Sequence, residues 1–220
     1  MMIEIVAEDG YRFDAYRADP VGKPRGAIVV VQEIFGVNRH IRSVVDGFAA
    51  DGYLAIAPAV FDRVEKNVDL GYSPADVARG REIKAAMSMD CAMLDIAAAS
   101  RAASGAGKVG VVGYCMGGFL AWLAAAKVPG LACAVPYYGG GIPEHAELVP
   151  RCPVMFHFGE QDAGIPIGGV RKFAAKHAGE QLFIYPAGHG FNCDERASWD
   201  AASAKLARER TLAFFRTHLG

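Results

Sequence analysis

The sequence predicts an α/β protein: one domain over residues 1–220, built on a mostly parallel central sheet with helices on both faces. Three observations predict it. Short apolar, β-branched runs alternate with helical stretches along the whole chain, which is the pattern of β–α–β units. The runs Ala27–Val31 and Val109–Val112 contain no polar residue, as expected of strands buried on both faces. Hydrophobic residues make up 52% of the chain and charged ones 21%, enough apolar surface to close one large core and too much for a disordered chain.

Taken in order, Ile3–Val6 and Phe13–Arg17 flank Asp9-Gly10 and read as an N-terminal hairpin. Ala27–Val31 is the first buried strand. A helix over about Ile41–Ala50 is stopped by Gly52, and Tyr53–Ala57 is the next strand, ended by Pro58. Ser73-Pro74 is an N-cap followed by proline in the first turn, so a helix runs from there toward Met87, with a second over Met89–Ala103. Four strand–helix steps complete the chain. Their strands are Lys108–Val112, Ala132–Tyr137, Val154–Gly159 and Leu182–Tyr185, with helices between or after them and a last helix over Trp199–Thr217.

Several function classes are excluded at this level. Lys and Arg number 23 against 24 Asp and Glu, so no basic field exists to neutralise nucleic-acid phosphates. The uncharged stretch Val109–Ala126 is long enough for a membrane span, but Gly110, Gly113, Gly117 and Gly118 divide it into a strand, a turn and a buried helix. Met1-Met2-Ile3-Glu4 lacks the basic and apolar regions of a secretory leader. The five cysteines form no C-x-x-C pair, so reduced thiols, a cytoplasmic location and no metal or cofactor are expected. His189 and Cys193, with Asp194 adjacent, resemble a partial metal site but lack a third ligand. His40, His145, His157, His177 and His218 read as structural or exposed, and Trp122 as core. A monomer is expected.

Chemistry should lie just past the strands, because parallel sheets bind ligands at their carboxyl ends. After Lys108–Val112 comes Gly113-Tyr114-Cys115-Met116-Gly117, a G-x-C-x-G strand-to-helix turn of the nucleophile-elbow type. The flanking glycines allow the tight turn, the helix start favours a thiolate, and the Met116 amide is placed as an oxyanion donor. A buried cysteine in a glycine-rich packing turn would leave the same letters. The order of the partners argues for chemistry: Asp162 follows strand Val154–Gly159, and His189 follows the last strand. His189 would accept the thiol proton and Asp162 would orient the imidazole. The loop after Ala27–Val31 holds Glu33, a candidate second base near the thiol or a solvated loop carboxylate, and Ile34, whose amide would be the other oxyanion donor.

With these residues in place, the sequence resembles the dienelactone hydrolase family of α/β hydrolases. The motifs are Gln32-Glu33-Ile34-Phe35-Gly36-Val37-Asn38, Arg79-Gly80-Arg81-Glu82, Gly113-Tyr114-Cys115-Met116-Gly117-Gly118, Tyr137-Tyr138-Gly139, Gly159-Glu160-Gln161-Asp162 and Gly188-His189-Gly190-Phe191. The resemblance implies an α/β-hydrolase fold and a Cys115–His189–Asp162 triad. It also implies that Glu33 takes the thiol proton once substrate is bound. The implied reaction opens an enol-lactone ring of dienelactone type to maleylacetate. The implied substrate is a small ester or lactone carrying a carboxylate, which Arg81 would bind. The family's second arginine falls at Cys193 here, and Arg196 is the candidate replacement; Tyr137 is a further candidate contact. Ala85 and Ser88 stand where the family carries pocket aromatics, which implies a more open pocket. Two rival readings remain: a general carboxylesterase or thioesterase, and a non-catalytic ligand-binding member of the fold.

Overall fold

The computed structural model describes residues 1–220. Strands β1 (Met2–Val6) and β2 (Arg12–Ala18) form the antiparallel hairpin, turning at Asp9-Gly10. The remaining strands are β3 (Ala27–Val31), β4 (Leu54–Pro58), β5 (Val109–Tyr114), β6 (Leu131–Tyr137), β7 (Met155–Gly159) and β8 (Gln181–Tyr185). They make one eight-stranded sheet in the order β1-β2-β4-β3-β5-β6-β7-β8. Pairing is parallel from β4 through β8. This is the α/β-hydrolase architecture.

The helices are α1 (Arg39–Ala50), α2 (Pro74–Ala86), α3 (Met89–Ala103), α4 (Met116–Lys127), α5 (Ile167–Lys176) and α6 (Ala201–His218). Helices α1 and α6 cover one face, where Phe48 meets Phe215 edge-on. Helices α3, α4 and α5 cover the other, where Trp122 of α4 packs on Phe156 and Phe173. A continuous core of 63 buried apolar residues fills the space between the layers, and β3, β4 and β5 are buried at every position. No helix is long and apolar enough to cross a membrane, and Val109–Ala126 is a strand, a turn and a helix.

Caps set the helix starts. Asn38 accepts from the Ile41 amide at 3.2 Å and opens α1. Ser73 and Asp76 form a reciprocal capping box on α2. The last helix starts later than the sequence reading placed it, because Asp200 caps it by accepting from the Ser203 amide at 2.8 Å. Trp199 therefore lies outside the helix and is 49% exposed. A second difference lies between β6 and β7, where no α-helix forms and only a 3-10 turn, Pro143–His145, interrupts the loop. Gly139-Gly140-Gly141 and Pro143, Pro150 and Pro153 explain it, since glycine costs a helix about 1 kcal/mol and proline about 3.

The strand order positions the site. From β3 the chain crosses to β4 on one side, and later returns to β5 on the other. That reversal opens a crevice above the carboxyl ends of β3 and β5, the place where open α/β sheets bind ligands. Glu33 and Cys115 stand just past those two strand ends.

Candidate active site

Cys115 is the single residue between β5 and α4. Its backbone has φ 55° and ψ −115°, a conformation that costs an L-residue about 1–3 kcal/mol and is tolerated only where the surroundings enforce it. The elbow glycines are enforced by contact. A Cβ on Gly113 would lie 1.9 Å from the Gly117 carbonyl oxygen, and one on Gly117 would lie 2.2 Å from that of Val31. Helix α4 thus starts hard against the β3 loop, with the half-buried thiol at its positive end.

The structure brings the sequence-predicted partners to this thiol. His189 Nε2 lies 3.0 Å from Cys115 Sγ, and Nδ1–H donates to Asp162 Oδ2 at 2.7 Å. Asp162 is buried, and its other oxygen accepts from the Gly164 amide at 2.8 Å. Burial pulls the His189 imidazole down, but hydrogen bonds to Asp162 and Cys115 outweigh it and push it up to about 10. Ile34 and Met116 line the same cavity, and the Met116 amide, first of α4, has no partner within the helix.

Glu33 is fully buried. It accepts from Arg196 Nη1 at 3.1 Å through Oε1, while Oε2 has no partner. It makes no hydrogen bond to Cys115, whose sulfur is held by His189. Arg196 lies over the rings of Phe35 and Tyr72, at 5.7 and 5.9 Å from their centroids. Burial opposes its charge, and Glu33 more than restores it.

The cavity has a volume of 610 Å³. Phe35, Val77 and Ile165 supply apolar walls, and Arg81, Lys84 and Arg196 supply cations. Arg81 reaches the cavity because Gly80 lets α2 press onto the β3 loop: a Cβ there would lie 2.2 Å from the Ile34 carbonyl oxygen. Neither Arg81 nor Lys84 is among the ion-paired residues, whereas Arg196 is paired. Lys84 escaped the sequence reading, although its i, i+3 spacing from Arg81 on a helix was a usable signal. Ser88 has a structural task, accepting from the Cys91 amide at 3.3 Å as the cap of α3.

Tyr137 is not a pocket residue. It is 1% exposed, and its hydroxyl bonds Thr211 Oγ1 of α6 at 2.6 Å. The tyrosine beside His189 is its neighbour Tyr138, which lies just past the strand with φ 34°. The Tyr138 ring stands edge-on to His189 with centroids 5.2 Å apart, and its buried hydroxyl has no partner.

The model of the Dienelactone hydrolase family matches residues 13–219. A carboxymethylenebutenolidase of Pseudomonas putida is 36% identical, across 96% of this chain and 94% of its own length. Carboxymethylenebutenolidase 1 of Cupriavidus pinatubonensis is 33% identical, across 96% and 94%. Among solved structures, one named "Putative Dienelactone Hydrolase" from Klebsiella pneumoniae superposes with a TM-score of 0.85 at 30% identity, covering 98% of each chain.

Proposed function

The chain belongs to the dienelactone hydrolase family and is a hydrolase of carboxylic ester or lactone bonds; from that premise we propose that it opens a small, anionic enol-lactone of dienelactone type with Cys115 as nucleophile. The observation that carries the reading is the unbroken chain Asp162–His189–Cys115, at 2.7 and 3.0 Å, on the wall of an open cavity.

In this reading the Cys115 sulfur attacks the lactone carbonyl, and the Met116 and Ile34 amides hold the oxyanion. The ring oxygen leaves as an enolate, which needs little protonation. The enolate takes up the His189 imidazolium proton, and the neutral imidazole then draws a proton from water so that the hydroxide releases the acyl group from sulfur. Arg81, free of any acidic partner, binds the substrate carboxylate. Arg196 both lines the cavity and holds Glu33, so a carboxylate that reaches its guanidinium competes with Glu33. The freed Glu33 becomes a base available to the thiol only when substrate is present.

The test is hydrolysis of a dienelactone and of a neutral aryl acetate, before and after alkylation of Cys115. Both activities should vanish on alkylation, with the lactone the better substrate. Turnover that survives stoichiometric labelling of Cys115 would remove the cysteine mechanism. A preference for the neutral ester would favour the general esterase reading.

A further inference from the structure

Behind the catalytic thiol, three side chains from separate parts of the chain converge. Glu33 comes from the β3 loop, His40 from the first turn of α1 and Cys193 from the loop before α6. Each offers one ligand atom, and these atoms all lie within 4.8 Å of one another. The three residues are 0%, 4% and 0% exposed. Glu33 Oε2 and His40 Nε2 have no hydrogen-bond partner. A buried polar atom left unpaired costs about 1–3 kcal/mol, and two residues of this cluster each carry one.

We propose that Glu33, His40 and Cys193 form a binding site for a thiophilic divalent cation of the zinc type. The donor set of one carboxylate oxygen, one imidazole nitrogen and one sulfur suits that ion, and leaves a fourth position open. A sulfur and an imidazole among three ligands disfavour magnesium and calcium, which take oxygen donors. The second shell is present: His40 Nδ1 lies 3.2 Å from Asp194 Oδ1, the carboxylate–histidine pairing that orients a ligating imidazole. Zinc bonds of about 2.0–2.3 Å would require the donor atoms to close by about 1 Å, a shift that rotation of the Glu33 and Cys193 side chains can supply. Cys193 gives its thiol proton to solvent as the sulfur–metal bond forms. The ion and Arg196 are then balanced by Glu33, Asp194 and the Cys193 thiolate.

The cluster reaches the surface on one side through His40. His40 and Asp194 line a surface cleft of 400 Å³ that shares no lining residue with the catalytic cavity. The ion would arrive from the back and hold Glu33 through Oε2. Loss of hydrolysis on metal binding follows if Glu33 has the role proposed above; the binding itself does not depend on that role.

The test separates the two. Cys115→Ala protein cannot hold a metal through the Cys115–His189 pair, so Co²⁺ is titrated into that variant and the thiolate-to-metal charge-transfer band is followed. One equivalent should bind with that band, and Zn²⁺ should displace it. Adding Cys193→Ser should abolish the band, and adding His40→Gln should weaken binding at least tenfold by the same titration. Asp194→Asn, on the surface and so harmless to folding, should weaken it about 10–100-fold. No band in Cys115→Ala protein, or a band that survives Cys193→Ser, overturns the site and leaves a buried water as the occupant. Circular dichroism checks each variant for folding.

Discussion

Two histidines of this protein sit at opposite ends of one chemical scale. His189 has both ring nitrogens engaged, by Asp162 at 2.7 Å and Cys115 at 3.0 Å. His157, on β7, also has both engaged, by the Tyr185 hydroxyl at 2.8 Å and Thr211 Oγ1 at 3.0 Å. Burial disfavours the charged form of each. Yet His189 is pushed up to about 10, and His157 is pushed down to about 3, by burial first and the Arg210 charge second. The partners account for the difference. A carboxylate and a sulfur favour imidazolium; two neutral hydroxyls favour imidazole. The lesson is that a histidine's burial and bond count do not mark it as catalytic, whereas the charge of what it bonds does.

The sharpest way to break this contrast is to remove each ring. Cys115→Ala and His189→Ala should each lower kcat/KM by at least about 10³, and the double variant should lose little more, because triad members act as a unit. His157→Ala should leave turnover of the folded protein near normal. It should instead cost about 2–4 kcal/mol of stability in urea unfolding, from the cavity and from the one hydrogen bond that each hydroxyl loses. Loss of turnover in His157→Ala as deep as in His189→Ala would merge the two networks into one.

A smaller effect sharpens the charged end of the contrast. Arg81→Ala should weaken kcat/KM for anionic lactones by about 1.5–3 kcal/mol, the worth of a hydrogen bond to a charged group, and change neutral esters much less. Equal losses on both substrates, with a lower melting temperature, would make Arg81 structural.

The smallest effect per step is with pH, and its sign differs between the rings. The folded-state value of His157 lies below its ordinary 6.5, so its contribution to stability is present above that pH and is lost as pH falls toward 3. Each unit of acidification in that window should weaken folding by up to about tenfold. His189 lies above 6.5, so its contribution is complete below that pH and is lost as pH rises through about 10. Urea midpoints measured across pH should therefore lose their acid limb in His157→Gln and their alkaline limb in His189→Gln. An unchanged acid limb in His157→Gln would show that other groups set it.

The regions differ also in how far they could be read in advance. Cys115, Asp162 and His189 were legible because each lies just past a strand, and strand ends are marked locally by apolar runs and glycine turns. The His157 network was not, since its members come from β6, β7, β8 and α6 and share no spacing. Tyr137, a candidate contact, is instead buried with its hydroxyl on Thr211 of α6, because a motif does not say which way a strand-end side chain packs. Arg196 was a candidate only as a substitute for a missing arginine. Its bond to Glu33 joins residues 163 apart in the chain, and nothing local announces it.

By itself, the sequence determined the α/β class, the strand order of the chemistry, the elbow and the family. These follow from short-range physics: hydrophobic periodicity, glycine where a Cβ cannot fit, and the caps that start helices. Tertiary structure alone decided that Glu33 is buried against Arg196, that Arg81 and Lys84 face the cavity unpaired, and that His40 meets Cys193 behind the thiol. Those outcomes depend on how distant loops stack over the sheet's carboxyl edge, and packing across the crevice between β3 and β5 sets the distances.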